Sequence, residues 1–160
     1  MAETRRRIVS GGCQCGAVRY AVYGEPFAPS ICWCRMCQKA TGGLFGAYVD
    51  VKAADLVWTR GEPGRFASSA AAERGFCASC STPLFYKLRS AAHYAITMGS
   101  LDHPHDWPPQ SQLVPENRPA FCESLASLEV VPTSAWLAQD PEGFASRQHP
   151  DHDTEVWPPR

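Results

Sequence analysis

The sequence predicts an all-β fold, a sandwich or a set of coiled sheets, and three observations carry that prediction. Apolar and polar residues alternate with a period of two over several short stretches. Turn-forming residues punctuate those stretches, with 12 Gly and 14 Pro among 160 residues. Helical periodicity is sparse and confined to brief windows. Many short strands joined by frequent turns favour layered or coiled sheets over a helical bundle. A chain of 160 residues amounts to one domain with enough length for a core.

Each element follows from its pattern. Val18, Tyr20 and Val22 alternate with Ala17, Arg19 and Ala21, which predicts a strand ended by Gly24-Glu25-Pro26. A second strand is expected over 45–51, with Phe45, Ala47, Val49 and Val51 on one face. Shorter strands are expected over 56–59, 64–68, 84–88 and 94–98, separated by Gly61-Glu62-Pro63-Gly64, Thr82-Pro83 and Gly99. A helix of one or two turns fits 35–40, stopped by Gly42-Gly43. Further short helices are expected over 121–128 and 134–139, and 103–110 (HPHDWPPQ) reads as a loop. From about residue 139 the chain is polar and rich in Asp, Pro and His, the composition of a mobile tail. The expected division is a folded unit over residues 1–138 and a flexible tail over 139–160.

Composition narrows the function. With a formal net charge of −1, bulk charge does not drive nucleic-acid binding. The run Arg5-Arg6-Arg7 is short and reads as solvated. No apolar run approaches the ~18 residues of a membrane span. The opening MAETRRRIVSGG lacks the apolar stretch of a secretory signal. A cytoplasmic protein is therefore expected, without nucleic-acid or membrane partners. In a reducing compartment the eight cysteines point to metal binding rather than disulfides.

Seven of those cysteines form three groups. In Cys77-Ala78-Ser79-Cys80, two thiolates three residues apart on a tight turn reach one ion. In Cys13-Gln14-Cys15, an extended backbone points both side chains to one face. Together these pairs make a closed four-thiolate set, suited to a structural Zn2+. Structural zinc contributes on the order of 10–16 kcal/mol of apparent binding energy. A whole domain is stable by roughly 5–15 kcal/mol. Such a site would decide whether the fold stands.

The remaining group, Cys32-Trp33-Cys34-Arg35-Met36-Cys37, offers three thiolates and an open position, the arrangement of catalytic zinc. Zinc with three thiolates carries one net negative charge, so it acidifies water less than a three-histidine centre. It is better suited to holding a small thiol as thiolate, the nucleophilic form. Two other groupings stay open. Cys34, Cys37, Cys77 and Cys80 make a zinc ribbon by count, and Cys122, His103 or His105 would complete a second structural site. Cys122 otherwise reads as a small core residue, His93 as a packing or surface residue, His103 and His105 as loop residues. His149 and His152 read as tail residues without a role.

Four segments resemble the glutathione-dependent formaldehyde-activating (Gfa) family, which includes the centromere protein V-like proteins. They are GGCQCGAVRY at 11–20, CWCRMCQKATGG at 32–43 followed by FGAYV, FCASCSTPLFY at 76–86, and TMGSLDHP at 97–104. The resemblance spans roughly residues 8–135 and implies a coiled β-sandwich of several short antiparallel sheets with two zinc sites. It implies that Cys13, Cys15, Cys77 and Cys80 hold a structural zinc. Cys32, Cys34 and Cys37 would hold a second, catalytic zinc beside the substrate cleft. The implied partners are a small thiol such as glutathione and a small aldehyde. The implied reaction is formation of S-(hydroxymethyl)glutathione, in reverse a carbon–sulfur lyase reaction. Arg35, Lys39 and Arg118 are candidates to meet the thiol's carboxylates, or are solvated charges. Two departures stand out. Trp33 occupies a position where many relatives have His, and VPENRPAFC at 114–122 presents Phe121 and Cys122 in altered order. The alternative functions are a zinc-stabilised binding module and a thiol redox sensor.

Overall fold

The computed structural model describes residues 6–140 and 142–158, so Arg5 of the basic run lies outside the described residues. Ten strands are arranged in two sheets. The smaller contains β1 (Val9–Gly12), β2 (Arg19–Val22) and β5 (Leu56–Arg60), in the order β1-β2-β5. The larger contains β3 (Phe27–Cys32), β4 (Gly46–Lys52), β6 (Gly64–Ala67), β7 (Ala72–Phe76), β8 (Pro83–Leu88), β9 (His93–Thr97) and β10 (Ser111–Leu113). Its order is β10-β3-β4-β9-β8-β7-β6, antiparallel throughout except for the parallel β10–β3 pair. The all-β expectation holds, with two sheets where several small ones were expected. Among the described residues the α-helices are short, α1 (Arg35–Thr41) and α2 (Thr133–Leu137), and none is long and apolar enough to cross a membrane.

Strand β4 explains the layering. Its alternation turns Ala47, Val49 and Val51 to one side and Gly46, Tyr48, Asp50 and Lys52 to the other. Val49 pairs with Ile96, and Ile96 with Phe85, so one face of the larger sheet is continuously apolar and buried. Val18, Tyr20 and Val22, from β2 and its approach, fill the same core. Tyr20 and Trp58 meet edge to face at 5.7 Å, Phe85 and Tyr94 at 4.9 Å. Gly75 lies opposite Phe85 in the ladder, and a Cβ there would sit 1.9 Å from the Phe85 ring. The glycine is what lets that ring lie flat across β7.

The other face of the larger sheet is assembled by register. Ser30 pairs with Tyr48, Asp50 with Ala95, Ala95 with Tyr86, and Tyr86 with Arg74. Paired residues share a face, so these five strands present one continuous floor opposite the core. Helix α1 starts where β3 ends, capped by the Cys34 sulfur, and stops at Gly42 in the left-handed conformation (φ 67°). The glycine stop read from the sequence is therefore present.

Two expectations need correction. The short helix expected over 121–128 is a 3₁₀ helix over Ala120–Ser127, but Cys122 within it is only half-buried, outside the core. After β10 the chain leaves the sheets, and residues 123–137 are exposed, so nothing packs a helical face. Arg19 on β2 is buried in a two-pronged pair with Asp102 at 2.7 and 2.6 Å. His149, read as having no role, is buried, and its N–H donates to the Gln14 carbonyl at 2.8 Å. The segment from His149 to Trp157 returns over the smaller sheet. Asp153 accepts from Arg19 at 2.7 Å and from Arg7, the Thr154 carbonyl accepts from Arg60, and Trp157 Nε1 donates to the Cys15 carbonyl. Asp153 and Thr154 thereby satisfy arginines of β2 and β5.

Candidate metal centres and cleft

The turn after β1 carries Cys13 and Cys15, and the turn between β7 and β8 carries Cys77 and Cys80. Their four sulfurs lie within 4.8 Å of one another. Cys13 and Cys15 are 3.6 Å apart, Cys15 and Cys77 3.8 Å. A tetrahedron with Zn–S bonds of ~2.3 Å has sulfur–sulfur edges of about 3.8 Å, so the residues fit the ion. Backbone N–H groups of Val18 and Ser79 point at the Cys13 and Cys77 sulfurs at 3.2 and 3.4 Å. Such donors favour thiolate. Burial pushes Cys13 up to about 12, so an ion bound there would have to displace its proton. Burial also opposes ionisation of Cys80, but hydrogen bonds from Thr82, whose hydroxyl is 3.1 Å away, bring it down to about 6.

The second cluster comes from a strand end and a helix start. Cys32 closes β3, Cys34 caps α1, and Cys37 lies in its first turn. The three sulfurs lie within 4.8 Å of one another, and among the described residues no other His, Cys, Asp or Glu joins them. Cys122, His103 and His105 stay outside. The zinc-ribbon grouping is not formed, because Cys77 and Cys80 stand with Cys13 and Cys15. Both clusters could hold metal ions, and the donor chemistry is consistent with zinc.

This second cluster opens onto a cavity of about 290 Å³ on the floor described above. Apolar walls come from Met36, Leu88, Ala95 and Leu113, polar groups from Tyr48, Asp50, Arg74 and His93. At the far end the Asp50 carboxylate lies 3.6 Å from His93 Nε2. Beside the sulfurs, Arg74 donates to Cys37 Sγ at 3.4 Å and to the Tyr48 hydroxyl at 3.1 Å, and its guanidinium lies 4.9 Å from the Tyr86 ring centre. Burial opposes ionisation of Cys37, yet the hydrogen bonds from Arg74 and Tyr48 outweigh it and lower its pKa. Cys32, which has no such partner, is pushed up to about 12 by burial.

Arg74 is the residue that sequence reasoning missed. The arginines and lysine singled out instead do not line the cavity: Arg35 bonds Gln38, Arg118 pairs with Glu123, and Lys39 lies on the last turn of α1. An arginine beside a glycine in the strand sequence AERGF was the available signal. Trp33, the departure between the first two cysteines of its group, lies off the cavity. Its ring packs against Phe45 at 5.0 Å, and its N–H donates to Gln112 at 3.0 Å. In the 114–122 segment it is Val114 that packs against the three-cysteine cluster, while Phe121 is exposed.

An all-β fold with a four-cysteine cluster and a three-cysteine cleft defines a class of cysteine-rich domains with two candidate metal sites. The particular family is named by comparison. A family model described as glutathione-dependent formaldehyde-activating enzyme matches residues 8–117, more than half of the chain, and the chain belongs to this family. A crystal structure of a Rhodobacter sphaeroides protein is similar with a TM-score of 0.53 and 23% identity, over 64% of this chain and 98% of that one. At that identity the likeness shows the fold. No curated protein matches the chain.

Proposed function

We propose that this chain is a zinc-dependent carbon–sulfur lyase of the Gfa type, acting on the adduct of formaldehyde with glutathione or another small thiol. The observation that carries the reading is the three-cysteine cluster opening directly onto a cavity that also holds Arg74. Family membership supports it. A zinc ion held by Cys32, Cys34 and Cys37 would supply a position where an incoming thiol is bound as thiolate. The chain's own residues then do three things. Cys13, Cys15, Cys77 and Cys80 would hold a structural zinc, tying the β1 turn to the β7–β8 turn. Met36, Leu88 and Leu113 give the reacting sulfur an apolar wall. The floor of β4, β8 and β9 confines the thiol and the aldehyde carbon in one cavity, which lowers the entropic cost of their meeting.

The test is NMR exchange spectroscopy of glutathione and formaldehyde at equilibrium, with zinc-loaded protein added. The expected result is exchange faster than the uncatalysed rate, abolished in Cys37→Ala. Exchange at the uncatalysed rate with two zinc ions bound would refute the reading.

A further inference from the structure

We propose that Arg74 is a positioning residue that acts through Cys37: it is the counter-cation of the three-cysteine centre and sets its charge so that an anionic fourth ligand can enter. The inference rests on reading that cluster as a metal centre, and it names the group that tunes it.

Three observations lead there. Arg74 is only 9% exposed, on the cavity side of β7. A buried guanidinium needs a counter-charge, because desolvation of an unpaired cation is costly. Among the described residues no carboxylate pairs with Arg74; its polar partners are the Cys37 sulfur and the Tyr48 hydroxyl. The thiolate of Cys37 is therefore the anion this cation is built around. The planar fork serves both partners at once, one nitrogen on sulfur and the other on oxygen, while the Tyr86 ring fixes its plane.

The consequence is a matter of charge. Three thiolates and a divalent ion carry one net negative charge, which repels a second anion. With Arg74 the set is neutral, and an entering thiolate makes it singly negative instead of doubly so. A donor on the Cys37 sulfur also withdraws electron density from the metal, leaving it a better acceptor for that fourth ligand.

The experiment uses full-length protein loaded with cobalt(II), whose sulfur-to-metal absorption bands report ligand changes, together with zinc titration of the labile site. Glutathione is added to wild type, Arg74→Met and Arg74→Lys. Hydrogen bonds to charged groups correspond to roughly 10- to 100-fold in an equilibrium constant. Arg74→Met is expected to weaken both labile-site zinc affinity and glutathione binding at the cobalt centre by that range, with the four-cysteine metal retained. Arg74→Lys keeps the charge and is expected to recover most of the zinc affinity, which a merely structural role for the fork would not allow. If Arg74→Met fails to fold, Arg74→Lys and Arg74→Gln divide the question in the same way. Wild-type affinities in Arg74→Met, or in Arg74→Gln, would overturn the inference while leaving the metal centre standing. A wild type that binds one metal only, with no change on adding glutathione, would overturn both together.

Discussion

Asp102→Asn removes one charge from a pair that water does not reach. The side chains of Arg19 and Asp102 are 3% and 4% exposed and are joined by two parallel hydrogen bonds. The Ser10 hydroxyl donates to the same carboxylate at 2.6 Å. Breaking a buried pair by removing one partner costs ~3–5 kcal/mol. Arg19 retains Asp153 at 2.7 Å, but that carboxylate is 37% exposed and screened. The loss therefore falls at the lower end, about 3 kcal/mol. For a chain of this size each kcal/mol shifts the midpoint by ~2–4 °C, so the melting temperature should fall by roughly 6–12 °C. The assay is thermal denaturation of metal-replete protein followed by circular dichroism. Burial would raise the Asp102 carboxyl, but hydrogen bonds from Arg19 and Ser10 outweigh it and hold the pKa below the usual carboxylate range. A lowered folded-state pKa means the stabilisation is complete above the unfolded value of ~3.9 and lost as pH falls through the folded one. The gap between variant and wild type should accordingly stay constant from roughly pH 6 to 8. A fall of less than roughly 2 °C would refute the argument that this pair is desolvated and essential.

Three further substitutions separate the clusters and test the core. Cys77→Ala removes a fully buried member of the four-cysteine set and should give insoluble protein, whereas Cys37→Ala should remain soluble and lose one metal equivalent. Soluble yield and zinc per chain decide this, and equal behaviour of the two variants would contradict it. Gly75→Ala drives a methyl into the Phe85 ring and should cost ~1–3 kcal/mol or more by overpacking. The urea midpoint measures that, and an unchanged midpoint would mean the ring moves aside freely.

What was legible in the sequence was local. Strand β4 could be read because its apolar residues alternate and its inward face is buried. Helix α1 could be read because Gly42 ends it with a backbone conformation that glycine favours. The division of cysteines into four and three could be counted, and the structure brings the same groups together. Strand β1 could not be read, since VSGG has no alternation and is held by its neighbours. In β3, Ala28 takes a left-handed conformation (φ 47°) and Pro29 follows, which hides a strand whose register shifts there. Strand β7 carries Arg74 and Gly75 where a pattern would need apolar residues. Buried arginines are the general blind spot. Arg19 is buried because of Asp102, 83 residues away, and Arg74 because of Cys37, 37 residues away. No window of neighbouring residues contains either reason.

Strand β7 joins the two clusters. Its last residue, Phe76, is followed at once by Cys77, and Arg74 stands three residues before that cysteine. At ~3.3 Å per residue, about 10 Å of backbone separates a ligand of the first cluster from the cation of the second. Metal loss at the two clusters is therefore expected to differ. Loss at the four-cysteine cluster would free the end of the strand that carries the guanidinium, whereas loss at Cys37 would leave Cys77 in place. Protein stripped at the three-cysteine cluster would then reload directly, and protein stripped at the four-cysteine cluster would first have to refold.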